Sequence, residues 1–417
     1  MTRTRCRGID LFFAGQAVQA VVPHPLPRHL ALVGEDYPGL RPRFAVSEGD
    51  RVAAGDLLFT DRRRPGSRHV APASGIVAEI RKGGRQSLDR VVIALDEGEA
   101  RAFAVPAALE SATLRALLIE SGAWQAIRTR PFDDVPEPEA TPDAIFVTAI
   151  DTRPLAPDPA VVIARHRAWF ARGLKALTHL GAGAVHLCHR AGVEMPAVPD
   201  VRPAGFTGPH PAGLAGTHIH YLHPVEAGGA CVWHIGYQEV IAIGHLLETG
   251  RIWARRVVAL AGDGLSAPRL IETVPGAELR ALCGEGLVEG AVRIRSGSPL
   301  DGRADAYLAR GHLQVTVERQ AHGAAAGSGL LARLRTFLAV GGSAIIPNAA
   351  HERAAPPGVL PIPLLRALSV GDVETARQLG ALGLAEEDMA LLSHVDGGRT
   401  DFGALLRRAL DELRDAA

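Results

Sequence analysis

Between residues 28 and 103, short aliphatic and β-branched runs alternate with glycine turns. The clearest case is Val46-Ser47-Glu48-Gly49-Asp50-Arg51-Val52-Ala53-Ala54-Gly55-Asp56-Leu57-Leu58, followed by Ala71-Pro72-Ala73-Ser74-Gly75-Ile76-Val77. Short strands bounded by such turns predict a compact antiparallel barrel or sandwich. The period then changes. Leu109, Leu114, Leu117, Leu118 and Ile119 fall at helical spacing within 104–130, and Asp143 to Ala149 is an apolar run fit for a buried strand. A helix over 159–180 and a second strand at Ala184–Cys188 complete a strand–helix–strand unit, which predicts a parallel, Rossmann-like sheet. The Pro- and Gly-rich stretch 193–217 reads as a long loop.

From residue 255 strands are expected at Arg256–Gly262 and Gly311–Val317, around a short helix at Ala277–Leu282. That is the outline of a β-grasp module. Alternating Ala and Gly over 321–329 reads as a link. At the C-terminus, Phe402, Leu405, Leu406, Ala409, Leu410 and Leu413 give a helix one apolar face, with Thr400 as its N-cap. Near the start, three arginines precede Leu11-Phe12-Phe13-Ala14, but Asp10, Gln16 and Gln19 interrupt the run, which reads as a first strand and not a signal peptide. The expected architecture is therefore multidomain α/β and α+β. A lipoyl-like barrel-sandwich hybrid spans 1–103, and a Rossmann-like domain without a phosphate loop spans 104–254. A β-grasp domain of the soluble-ligand-binding type spans 255–320, and a helical C-terminal domain spans 329–417.

Composition narrows the chemistry. The 45 Lys+Arg of the 417 residues balance 45 Asp+Glu, so the chain as a whole has no electrostatic attraction to nucleic acid or anionic lipid. Aromatics at 5% leave little for stacking on bases. No charge-free apolar stretch approaches ~20 residues, so no transmembrane segment of its own is expected. Cys6, Cys188, Cys231 and Cys283 lie far apart, which argues against cysteine-held zinc or iron–sulfur clusters and suits a reducing compartment. The barrel pattern resembles the biotinyl/lipoyl carrier family, in which a lysine at the tip is modified. Here the tip is Thr60-Asp61-Arg62-Arg63-Arg64, and Lys82 and Lys175 are the only lysines of the chain. A guanidinium is no amine nucleophile at neutral pH, so no covalently bound prosthetic group is expected.

The densest polar cluster is GPHPAGLAGTHIHYLH, residues 208–223, with His234 close behind. In a strand, His218 and His220 would share one face at a metal-ligand spacing, yet the run itself holds no Asp or Glu. The run is better read as a tight loop whose imidazoles satisfy backbone groups, and no metal is expected. A third reading is a binding loop in which His210, His218, His220 and the backbone from Gly213 to Gly216 donate to a neutral carbonyl ligand such as a quinone. No glycine-rich phosphate loop is present, since Gly181-Ala182-Gly183-Ala184 precedes a strand instead of a helix. Arg128-Thr129-Arg130-Pro131-Phe132 would either clamp an anion or pair with Asp133 and Asp134. No acid, base or nucleophile is assigned.

The ordered set GIDLFFAG, EGDRVAAGDLLFTDRRRPG, RTRPF, FVTAIDTRPLAPDP, FTGPHPAGLAGTHIHYLHPV and VRIRSGSPLDG resembles the A (alpha) subunit family of the sodium-translocating NADH:quinone reductase. The resemblance covers roughly residues 5–320 and 343–417. It implies a peripheral subunit on the cytoplasmic face of the bacterial inner membrane, docked on the membrane-embedded B subunit. The complex passes electrons from NADH through flavins and iron–sulfur centres in other subunits to ubiquinone, exporting sodium. The A (alpha) subunit itself carries no flavin or cluster and is associated with the quinone end of that path. The family is also similar to the C subunit of Rnf complexes. Where Rnf relatives carry a glycine-rich loop, this chain has Glu120-Ser121-Gly122-Ala123-Trp124-Gln125, and residues 363–417 contain no cysteine where they carry cluster ligands. Two alternatives stand beside the quinone role: a scaffold that binds no ligand, and an Rnf-C-like flavin- or NADH-binding protein. Around 319–342 the chain is alanine-rich and shorter than the family pattern.

Overall fold

The apolar run Ala144–Ala149 forms the centre of a six-stranded sheet, because a strand buried on both faces needs no polar alternation. In spatial order the strands are Thr2–Arg5, Val201–Thr207, Val185–Arg190, Ala144–Ala149, Val232–Gly236 and Arg128–Arg130. The first five are parallel and the last antiparallel. The computed structural model describes residues 2–64, 66–181, 183–225, 231–320 and 345–416. The expected link at 321–329, and the shortened segment from 321 onward, lie outside them.

Helices flank this sheet. The single helix expected over 159–180 is broken at His166 (φ −126°, ψ 33°) into Pro159–Arg165 and Arg167–Leu177. The second of these crosses Tyr237–Thr249 at two glycines. A Cβ on Gly173 would lie 2.0 Å from the Val240 carbonyl oxygen, and one on Gly244 would lie 1.8 Å from that of Trp169. Two helix backbones therefore touch where neither carries a side chain.

Residues 28–103 fold into two small antiparallel sheets, Leu30 to Leu95 contributing four strands and Pro42 to Val70 three. A separate five-stranded sheet runs Val292–Ser296, Gln314–Arg319, Arg256–Ala261, Arg269–Thr273 and Val18–Val22. Its central strand Arg256–Ala261 is buried throughout. Val257, Ala259 and Ala261 join the α/β core, while Val258 and Leu260 join the core of the barrel. Helices Pro361–Val370, Val373–Gln378, Glu386–Val395 and Phe402–Ala416 close a third core around Leu364, Leu392, Phe402 and Leu406.

Three expectations need correcting. Leu11–Ala14 is not a strand. Thr2–Arg5 pairs with Val201–Thr207 and Val18–Val22 with Arg269–Thr273, so the first segment is shared between two other sheets. The stretch 193–217 is no long loop, since it holds the strand Val201–Thr207 and the start of the helix Ala215–Leu222. Pro203 inside that strand disguised it, because proline is rare in sheet interiors. The cap of the last helix is Asp401, whose Oδ1 accepts from the Ala404 N–H at 2.9 Å, not Thr400.

Alanine at Gly244 gains up to ~1 kcal/mol of helix propensity but places a methyl against a backbone oxygen that cannot rotate away. The overpacking term, roughly 1–3 kcal/mol, wins. Gly244→Ala is therefore expected to lower the denaturant midpoint in a chemical unfolding titration, and an unchanged midpoint would contradict the close crossing.

Candidate functional site at the module junction

The strand order reverses at Ala144–Ala149: the next strands in the chain, Val185–Arg190 and Val201–Thr207, are laid down on one side of it, and Val232–Gly236 on the other. In open α/β sheets the crevice beyond the carboxyl ends at such a point is the usual ligand position. Here a cavity of about 270 Å³ lies there, lined by Thr148, Ile150, Gly236 and Tyr237 with Arg128, Arg153 and Arg310. A second of about 780 Å³ and a third of about 120 Å³ adjoin it, and Asp36, Gln125 and Arg310 line all three. The junction thus draws residues from the barrel, the α/β module and the five-stranded module.

Buried arginines close one side. Arg130 is fully buried, and its Nη1 donates to Asp133 and to His234 Nε2, the latter at 2.6 Å. Phe132 and Asp133 both adopt left-handed backbone (φ 75° and 57°), which turns the Asp133 carboxylate back toward Arg130. Burial and the Arg130 charge hold His234 below its ordinary pKa, and the same Nε2 also lies 3.0 Å from Asp133 Oδ1. Nη2 of Arg130 faces Glu387 at 3.8 Å and Asp388 at 3.9 Å. Arg153 reaches Asp151 (3.3 Å), Asp301 (3.3 Å) and Glu387 (2.7 Å), joining three modules through one guanidinium. Arg407 grips Glu386 in a two-pronged pair at 2.6 Å and donates to the Phe132 carbonyl at 2.8 Å.

The acidic first turn of helix Glu386–Val395 is what these arginines meet. Carboxylates favour a helix N-terminus, and here two of the three also satisfy buried cations across a module boundary. RTRPF and its neighbours Asp133 and Asp134 were legible in the sequence, and the Arg130–Asp133 pair is present. Glu386-Glu387-Asp388 went unrecognised there, although three acids opening a helical pattern are a helix-start signature.

The structure separates the predicted loop residues. His218 and His220 lie in the helix Ala215–Leu222, so they do not share a strand face. His218 is fully buried, its Nε2 3.0 Å from the Ala212 carbonyl oxygen, and burial pulls its pKa down to about 3. His220 packs on Gly358, where a Cβ would lie 2.4 Å from its Cε1. Gly213 donates its N–H to Thr152 Oγ1 at 2.9 Å, and a Cβ on Gly216 would meet Asp388 Oδ1 at 2.4 Å. His210 differs. Its Nδ1 lies 3.3 Å from Thr152 Oγ1, its Nε2 has no hydrogen-bond partner, and it borders a cavity of about 750 Å³ beside the exposed Phe12. Among the described residues, no three His, Cys, Asp or Glu side chains gather as metal ligands. The segment Glu120–Gln125 ends a helix: the Ser121 and Gly122 N–H groups bond the Leu117 and Ile119 carbonyls, and Gly122 abuts Val70. Those two donors are spent within the helix end.

Three stretches match family models in chain order. Residues 4–96 match the NqrA N-terminal barrel-sandwich hybrid domain, 109–252 the NqrA second alpha/beta domain, and 257–305 the NQRA C-terminal domain. The fold and its junction thus define a chain in which a barrel-sandwich hybrid and an α/β module share a third domain between them. Over its whole length it is 44% identical to the A (alpha) subunit of the Na(+)-translocating NADH-quinone reductase of Pseudomonas aeruginosa, with 98% of each chain covered. The corresponding protein of Shewanella frigidimarina is likewise 44% identical, again over 98% of each. The chain belongs to this A (alpha) subunit family. The 439 aligned positions exceed its 417 residues, so it lacks residues that the relatives have. Among solved structures, an air-oxidised NAD+-reducing NiFe hydrogenase covers 74% of this chain and 67% of its own, with a TM-score of 0.41 and 14% identity.

The charge network can be tested at two of its members. Arg130→Met removes the cation that Asp133 and Asp388 share, and stripping one partner from a buried ionic cluster costs roughly 3–5 kcal/mol. Urea unfolding should show that loss. Asp388 is held above the ordinary 3.8 by burial and by the Glu387 charge, despite Arg130. A carboxyl raised on folding contributes stability below its unfolded pKa and loses it as pH rises through the folded value. Stability of Asp388→Asn relative to the parent should therefore increase from pH ~4 upward. A difference that is flat with pH would refute it.

Proposed function

We propose that the chain is a peripheral subunit of a Na+-translocating NADH:quinone reductase, held to the cytoplasmic face of the bacterial inner membrane by docking on the membrane-embedded B subunit. The observation that carries this is the 44% identity over 98% of both chains to relatives named as its A (alpha) subunit. Among the described residues no helix is long and apolar enough to cross a membrane, so attachment falls to a protein partner. In this reading the six-stranded sheet is Rossmann-like and the five-stranded one a β-grasp. The redox groups of the complex reside in its other subunits, and this chain helps shape the quinone site.

Of the five predicted loop residues, His210 is the one suited to a quinone carbonyl. It has an unspent ring nitrogen beside a large cavity. Burial and the Arg153 charge lower its pKa to about 4, so at neutral pH the imidazole is uncharged and its tautomer decides whether Nε2 donates. Gly213, Gly216, His218 and His220 hold the loop and its neighbours together. Their internal contacts favour, for those four, the scaffold reading.

A tagged chain expressed in its native host should copurify with membrane-embedded subunits, and recovery of the chain alone would overturn membership. In the assembled complex, a quinone analogue should perturb the fluorescence of Trp124, Trp169, Trp233 and Trp253. His210→Ala should raise the quinone KM about fivefold, the equivalent of one lost hydrogen bond of ~1 kcal/mol. An unchanged KM with a flat fluorescence titration would leave the scaffold role.

A further inference from the structure

We propose that the chain binds a phosphate-bearing anion where Arg128 and Arg310 converge, at the junction of the barrel, the α/β module and the five-stranded module. Such a site would exist whether or not the chain sits in the reductase.

Most buried or half-buried arginines here are spent on carboxylates: Arg130 on Asp133, Arg153 on three acids, Arg256 on Glu239, Arg303 on Asp36, and Arg407 on Glu386. Arg128 and Arg310 are not. Among the described residues, the Arg128 guanidinium has neither hydrogen bond nor ion pair, and that of Arg310 donates only to the Gln125 carbonyl at 2.8 Å. Both are half-buried and both line the 270 Å³ and 780 Å³ cavities. The acids nearest them are engaged elsewhere. Asp36 holds Arg303 and the Arg310 backbone N–H, Asp133 holds Arg130, and Asp134 holds Arg414.

Burial, and after it the Arg310 charge, pulls the Arg128 pKa below its ordinary value although Asp133 acts the other way, so two guanidinium groups facing one cavity with no ion pair of their own among the described residues are costly. A ligand with two negative charges removes that cost. Phosphate oxygens also match the guanidinium fork, which a single carboxylate satisfies for only one arginine. Neighbouring groups add donors. Tyr37, whose phenol is kept protonated with a pKa near 12, lines the same cavity as Arg128 and Arg310. At the strand end, no atom stands within 4 Å of a Cβ built on Gly236, and the thirteen-residue helix it precedes has no capping side chain. A ligand can approach that backbone closely.

The test is calorimetric titration of the full chain at low salt with inorganic pyrophosphate and, separately, with AMP. Saturable binding with Kd below about 1 mM is expected. Arg128→Gln and Arg310→Gln should each weaken it at least tenfold, while Arg63→Gln, an exposed arginine lining the larger cavity, leaves it unchanged. Arg128→Lys and Arg310→Lys, which keep the charge and lose the fork, should weaken it less; they carry the test if the glutamine variants do not fold. AMP binding tenfold tighter than pyrophosphate assigns the phosphate to a nucleotide, and the converse assigns it to free phosphate. No saturable heat with either probe, or binding indifferent to both arginines, overturns the proposal.

Discussion

Everything in this chain is organised around a strand that has no outside. Arg256–Ala261 alternates its side chains between two hydrophobic cores, with Val257, Ala259 and Ala261 on one face and Val258 and Leu260 on the other. A sheet packed on both faces fixes the distance and angle between the barrel and the α/β module. It also places Arg310, on the connection before Gln314–Arg319, beside Gln125 at the end of a short helical turn of the α/β module. The junction cavities therefore follow from the sheet and need no separate device.

Charge completes what packing begins. The helical C-terminal module approaches with the acidic turn Glu386-Glu387-Asp388, and buried arginines of the α/β module receive it. Gly216 belongs to the same contact, since any side chain there would displace the Asp388 carboxylate. One glycine of the loop read as a ligand platform thus also serves the contact between modules. The glycines of that loop serve close approach between parts of the chain, and His210 keeps a face toward an open cavity.

Legibility in the sequence followed the length scale of each interaction. Local periodicity revealed Ala144–Ala149, Val185–Arg190 and the last helix, because their burial is written in consecutive residues. The strand Val201–Thr207 was hidden by Pro203, and the two-residue spacing of His218 and His220 loses its meaning because the backbone there is helical. Arg130 was legible as a charged cluster with Asp133 but not as the partner of Asp388, which lies far along the chain. Nor does any local pattern disclose that, among the described residues, no carboxylate is paired with Arg128 or Arg310. That absence exists only once the fold has assigned the available carboxylates to other arginines.

The opening residues impose an order on folding. Thr2–Arg5 has its place only beside Val201–Thr207, and Val18–Val22 only beside Arg269–Thr273. A ribosome delivers the first segment long before either docking strand exists, and contacts of such wide sequence separation are slow to close. The barrel, built from nearly contiguous residues, can form while its leader waits. Thr2–Arg5 and Val18–Val22 therefore stay without their neighbours during synthesis until the strands near residues 201–207 and 269–273 have been made.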